Sequence, residues 1–170
     1  MIATQFPDTG WTLTAVPDDV AIADVPATVP GCVHTDLLAA GLIADPYLDD
    51  NETRLGWIGR TVWAYERSFR WSPDQNTETD LVCHGLDTVA TVILNGGRVA
   101  STANQHRSYR FPVRHLLREG DNRLTVIFDS AYDMLLTLLP GEVAHISVTT
   151  DQDLDVAALV RAPVLRVVNG

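Results

Sequence analysis

Gly85-Leu-Asp-Thr-Val-Ala-Thr-Val-Ile-Leu-Asn-Gly-Gly-Arg-Val-Ala-Ser-Thr-Ala-Asn-Gln-His-Arg-Ser-Tyr-Arg-Phe111 is the stretch on which the fold turns. Asn95-Gly96 separates two runs rich in β-branched residues. A type I′ turn needs φ > 0 at both central residues, and Asn-Gly meets that need best, so a hairpin is predicted here. Val89, Thr91 and Ile93 share one face of the first strand, and Ala90, Val92 and Leu94 the other. Both faces are apolar or small, which predicts an interior strand of a layered β structure. Arg98 to Ala103 returns as its partner. Tyr109, Phe111 and Val113 alternate with Ser108, Arg110 and Pro112, the start of a third strand.

The flanks carry the same signal. Trp11 to Val16 alternates, with Trp11, Leu13 and Ala15 on one face, before the turn Pro17-Asp18-Asp19. Val25 to Val29 is a short extended piece; Pro26 and Pro30 restrict it to an edge or a crossing segment. Thr35 or Asp36 caps a short helix, Leu37 to Ala40, which Gly41 ends. Residues 42–61 have no period, and a loop this long in a compact domain is functional or covers something. Strands follow at Trp63 to Trp71, at Leu81 to His84 and through Leu124, Val126 and Phe128. The fold class is all-β: an antiparallel jelly-roll sandwich with one short helix. Three further strand-like runs, Val143 to Thr149, Leu154 to Val160 and Val164 to Val168, belong to a second β domain or patch the first. The division is 1–133 for the sandwich and 134–170 for these extra C-terminal strands.

At 170 residues the chain has the length of one domain with a second fragment attached. The 22 acidic residues outnumber the 12 basic ones, for a formal charge of −10. That charge repels phosphate backbones, so nucleic acid is not an expected partner. Every basic residue is Arg. No apolar run is long enough to span a bilayer, and Met1 to Asp8 lacks the pattern of a secretory signal; a cytoplasmic location is expected. Cys32 and Cys83 can pair, but buried free thiols are the simpler expectation.

Several separated motifs then agree in order. They are Val29-Pro30-Gly31-Cys32-Val33-His34-Thr35-Asp36-Leu37, Asp45-Pro46-Tyr47, Asp50-Asn51-Glu52, Trp57-Ile58-Gly59, Trp63-x-Tyr65, Gly85-Leu86-Asp87-Thr88-Val89-Ala90, Leu94-Asn95-Gly96, Asn104 to Phe111, and Gly120-Asp121-Asn122-x-Leu124. Together they resemble the N-terminal, galactose-binding-domain-like sandwich of family 2 glycoside hydrolases, and within it most closely the β-mannosidases. The resemblance implies retaining hydrolysis of terminal β-D-mannosides by the parent enzyme, with two glutamates in a (β/α)₈ barrel further downstream. No such βα alternation occurs here, nor the aromatic-Asp-aromatic-Gly motif of β-mannosidases. A truncated, internally deleted or decaying member explains this most simply. The ending Pro163 to Gly170 is similar to a strand of the immunoglobulin-like domain that follows in the family. Implied partners are a β-mannoside-type carbohydrate and the catalytic barrel. An autonomous carbohydrate-binding module and an assembly or structural domain stand as alternatives. Related galactosidases and glucuronidases leave the sugar open.

The loop from Asp45 to Gly59 is the first site candidate, because in the family it reaches toward the barrel's active site. Asn51 offers a donor and an acceptor to sugar hydroxyls, Glu52 a carboxylate, and Trp57 a stacking face. The plainer reading makes Trp57 and Trp63 core anchors and the acids a solvated face. Asn104, His106 and Arg107 are the second candidate, as an interdomain or rim contact, or simply as loop residues that satisfy the backbone. Neighbouring strand residues point to opposite faces, so Cys83 and His84 cannot grip one ion, and no metal or cofactor is expected from them with Cys32 and His34. Ser130, His106 and Asp129 lack a nucleophile elbow. Glu66, Glu78, Glu119 and Glu142 stand apart, and no catalytic residue is assigned.

Overall fold

The computed structural model describes residues 6, 8–16, 20–74 and 78–130. Its strands are β1 (Trp11–Ala15), β2 (Val25–Ala27), β3 (Trp63–Trp71), β4 (Asp80–Cys83), β5 (Ala90–Leu94), β6 (Gly97–Thr102), β7 (Tyr109–Pro112) and β8 (Gly120–Phe128). Two helices, α1 (Val33–Ala39) and α2 (Asn51–Arg54), and a 3₁₀ turn at Ile58–Arg60 lie between β2 and β3. Six strands form one sheet in the order β2-β1-β3-β8-β5-β6, and β4 pairs with β7 in a second sheet. Every pairing is antiparallel. This is the expected all-β sandwich.

The hairpin forms as read. Asn95 and Gly96 have φ of 54° and 81°, the pair of positive values that a type I′ turn requires. Ala90, Val92 and Leu94 face the core, and β5 is interior, between β8 and β6. Val92 pairs with Ala100 but Ile93 with Arg98, which leaves Val99 as the extra residue of a bulge. The strand begun at Tyr109 also forms, but its partner is β4 rather than the hairpin. β8 runs the full length of β3, from Trp63 opposite Phe128 to Trp71 opposite Gly120. Leu13, Ala90 and Val92 are 0% exposed, so the core lies on the inner face of the larger sheet.

Edge position and proline agree in β2, where Pro26 is exposed on the outermost strand. The helix differs from expectation. It starts at Val33 with Cys32 as N-cap, and Ala40 is its C-cap. Thr35 sits at the third helical position and reaches back, accepting from the Cys32 N–H at 3.3 Å and donating to the Cys32 carbonyl at 2.7 Å. Asp36 caps nothing and is buried instead. Gly41 follows the C-cap with φ of 70°, as a helix stop should.

Side-chain amides lock the ends. The Asn122 side chain accepts from the Asn95 amide (2.7 Å) and the Arg118 N–H (2.9 Å), and donates to the carbonyls of Arg118 (2.7 Å) and Gly120 (2.9 Å). Asn95 in turn accepts from the Arg123 N–H and donates to the Leu116 carbonyl. The hairpin turn is thereby tied to the start of β8. Both cysteines are free; Cys83 is half-buried, and burial pushes its thiol pKa up. Cys32, the N-cap of α1, is exposed, contrary to the expected burial. Among the described residues no helix is long and apolar enough to cross a membrane. The boundary at 133 and the strand-like runs of 134–170 lie outside the described residues.

Candidate functional site

The loop between α1 and β3 is built by its own hydrogen bonds. Asp45 organises it: one carboxylate oxygen accepts from the Tyr47 N–H at 2.9 Å, and its carbonyl accepts from the Leu48 N–H (3.2 Å) and the Asn51 side chain (3.0 Å). This is the Asx-turn chemistry for which Asp before Pro is suited. Arg54 pairs with Asp50 at 3.3 Å, one helical turn apart, on the surface. Leu55 and Ile58 then plunge into the core.

Trp57 and Trp63 hold the far end. Their rings lie 6.1 Å apart at 48°, and the buried Trp63 donates its indole N–H to the Ile58 carbonyl at 2.9 Å. Ser130, two residues past the end of β8, donates to the Gly59 carbonyl at 3.1 Å. The loop is thus pinned to the sandwich at both Trp63 and Ser130. Glu52, Thr53, Arg54, Gly56, Trp57 and Arg60 line a shallow open groove. A carboxylate, a hydroxyl, two guanidiniums and a half-exposed indole meet there, a set that suits a hydroxyl-rich ligand by hydrogen bonding and ring stacking.

The predicted residues divide. Glu52 and Trp57 share the groove; Asn51 does not line it and spends its amide N–H on the Asp45 carbonyl. Asn104, His106 and Arg107 sit together on the exposed loop between β6 and β7. The Asn104 side chain accepts from the His106 N–H at 2.9 Å, its carbonyl accepts from the Tyr109 hydroxyl at 3.2 Å, and Arg107 lies 5.7 Å over the Tyr109 ring. With its amide nitrogen turned toward Asp87, Gln105 donates to both carboxylate oxygens, at 2.8 and 3.0 Å, and so fastens this loop to the one before β5. Among the described residues no cluster of His, Cys, Asp or Glu could hold a metal ion.

One constellation escaped the sequence reading. Asp36, 4% exposed, accepts from the Thr28 N–H at 3.0 Å and from the Tyr65 hydroxyl at 3.1 Å. It joins the residue after β2, α1 and the first half of β3. Burial first, and then the Asp36 carboxylate, push the Tyr65 pKa upward. The signal was present: Asp36 follows Val33 by three residues and precedes Leu37, so it lies on the apolar face of the helix.

An antiparallel sandwich with a polar groove on a long braced loop defines the class of this protein as a β-sandwich module. The chain belongs to the glycosyl hydrolase 2 galactose-binding domain-like family, whose model matches residues 11–149. Beta-mannosidase A of Emericella nidulans is 44% identical over 127 residues, 73% of this chain and 13% of the relative. Beta-mannosidase of Bos taurus is 40% identical over 108 residues, 62% of this chain and 12% of the relative. The solved Beta-D-Mannosidase of Dictyoglomus thermophilum superposes with a TM-score of 0.69 at 35% identity, over 74% of this chain and 15% of that one. The chain therefore spans about one eighth of the length of the curated relatives it matches, 12% and 13% in these two.

Proposed function

We propose that the chain acts as a non-catalytic wall of a β-mannosidase-like active site. In this reading it packs on a catalytic barrel and presents the groove of Glu52 and Trp57 to a terminal β-mannoside, while Asn51 holds the loop in shape. Asn104, His106 and Arg107 form a rim contact with the neighbouring domain. The observation that carries the reading is the bracing of the loop: Trp57 against Trp63, and Gly59 against Ser130. A loop that only connected α1 to β3 would not need that order. The 35% identity to the Dictyoglomus thermophilum enzyme supports mannoside over the family's other sugars.

The test uses two proteins. The 170-residue chain alone should not turn over an aryl β-mannoside. A chimera of the Dictyoglomus thermophilum enzyme carrying residues 11–130 of this chain in the matching place should do so, and Trp57→Ala in it should lower kcat/KM about tenfold. Turnover by the chain alone, abolished by a substitution within it, would overturn the reading. A second reading, an autonomous sugar-binding module, is favoured only by the open groove itself, and predicts chemical-shift changes in the isolated chain with millimolar mannose.

A further inference from the structure

Four large apolar side chains stand in the open along eleven residues of chain: Leu38, Leu42 (51% exposed), Tyr47 (95%) and Leu48 (59%). Tyr47 is the extreme case, and it is not on a loose end. Its own N–H is held by Asp45, Leu48 is held by the Asp45 carbonyl, and the next turn closes through Asn51 onto Leu48 and Asp45. The fold thus fixes the backbone of a tyrosine and a leucine and leaves their side chains in water. Exposed aromatic anchors on a backbone already fixed suit association, because no loop remains to be ordered when a partner closes over them. The surroundings are acidic: Asp49, Asp50 and Glu52 are exposed beside them, with Arg54 already paired to Asp50.

We infer that Tyr47 and Leu48 are the docking anchors of this module, and that they seat in an apolar pocket with an Arg- or Lys-lined rim on the larger remaining body of a family 2 hydrolase. The inference rests on the module reading above and adds the face and the chemistry of its partner. The acidic rim selects the occupant. Two copies of this face would set acid against acid, and so would an anionic lipid surface or a nucleic acid. A basic rim is complementary. The matched region is only 12–15% of its relatives, so each relative carries a far larger body outside the match.

The experiment measures burial of position 47 directly. Tyr47→Cys is made in a Cys32→Ser background, both in the 170-residue chain and in the chimera, and reaction with a maleimide dye is timed. Val82→Cys on β4, at an exposed apolar site well separated in sequence, is the control. Tyr47→Cys should label fast in the isolated chain and about tenfold or more slower in the chimera, while Val82→Cys keeps its rate. Raising salt should speed labelling in the chimera, since the acidic rim is then screened. Fast labelling of Tyr47→Cys in an active chimera would sink the docking inference and leave the module reading intact. Protection in an inactive chimera would do the reverse. Should the chimera not assemble, the same cysteine is placed at the aligned position of the intact Dictyoglomus thermophilum enzyme, where free reactivity also refutes it. A self-dimer of the isolated chain that protects the site counts against it too.

Discussion

Replacing Asp36 tests the packing logic behind the site most sharply. The carboxylate is 4% exposed and accepts two hydrogen bonds, from the Thr28 N–H and the Tyr65 hydroxyl. Asp36→Ala strands the hydroxyl of Tyr65, a residue only 7% exposed, and removes the acceptor of the Thr28 N–H, which belongs to an exposed residue. A stranded buried donor costs about 1–3 kcal/mol and an ordinary hydrogen bond about 0.5–1.5 kcal/mol, so the loss should be about 2–4 kcal/mol. Tyr65→Phe removes one donor and should cost about 1–2 kcal/mol. Asp36→Asn keeps an acceptor for Thr28 and lets the tyrosine hydroxyl accept from the new amide, so it should also cost about 1–2 kcal/mol. The assay is urea unfolding at 25 °C, followed by tryptophan fluorescence, with the slope m compared among variants. The double variant should show coupling, because the two side chains share one bond. An Asp36→Ala protein within about 0.5 kcal/mol of the parent at the same m would refute the reasoning.

Stability should also fall as the pH rises above about 10, the ordinary tyrosine value. The folded pKa of Tyr65 is raised, so its contribution is complete below the unfolded value and is lost upward through the folded one. In Tyr65→Phe the alkaline decline should lessen by one proton. Asn122→Ala should lower stability by about 2–4 kcal/mol, because the turn at Asn95 and the Arg118 backbone lose a fully bonded buried partner; thermal melts read this, and an unchanged Tm would count against it. Trp63→Ala, at a 4% exposed position, should cost about 3–5 kcal/mol. Trp57→Ala, half-buried at the groove, should cost clearly less in the same urea series, and equal losses would make Trp57 a core anchor and nothing more.

The parts of this molecule that were legible in advance share a physical property: they are governed by neighbours in sequence. Asn95-Gly96 needs only its own φ values, and the Trp11, Leu13, Ala15 and Ala90, Val92, Leu94 rows need only the two-residue period of a strand. Pro26 on an edge strand follows from its missing N–H. The helix starts at Val33 rather than Leu37 because Thr35 is not its cap but bonds the cap three residues earlier. The tie from Gly59 to Ser130 was not legible either, since those residues meet only after β3 and β8 have paired.

By itself, then, the chain's residue order determined an antiparallel sandwich, its hairpin and the family. Only tertiary structure decided that β7 joins β4, that Asp36 turns inward onto Tyr65, and that Tyr47 is left in solvent while Trp57 is braced. The reason is that a strand's period and a turn's φ are local quantities. A partner strand, a buried carboxylate's donors and a side chain's exposure depend on residues tens of positions away, brought near only when the sheets close.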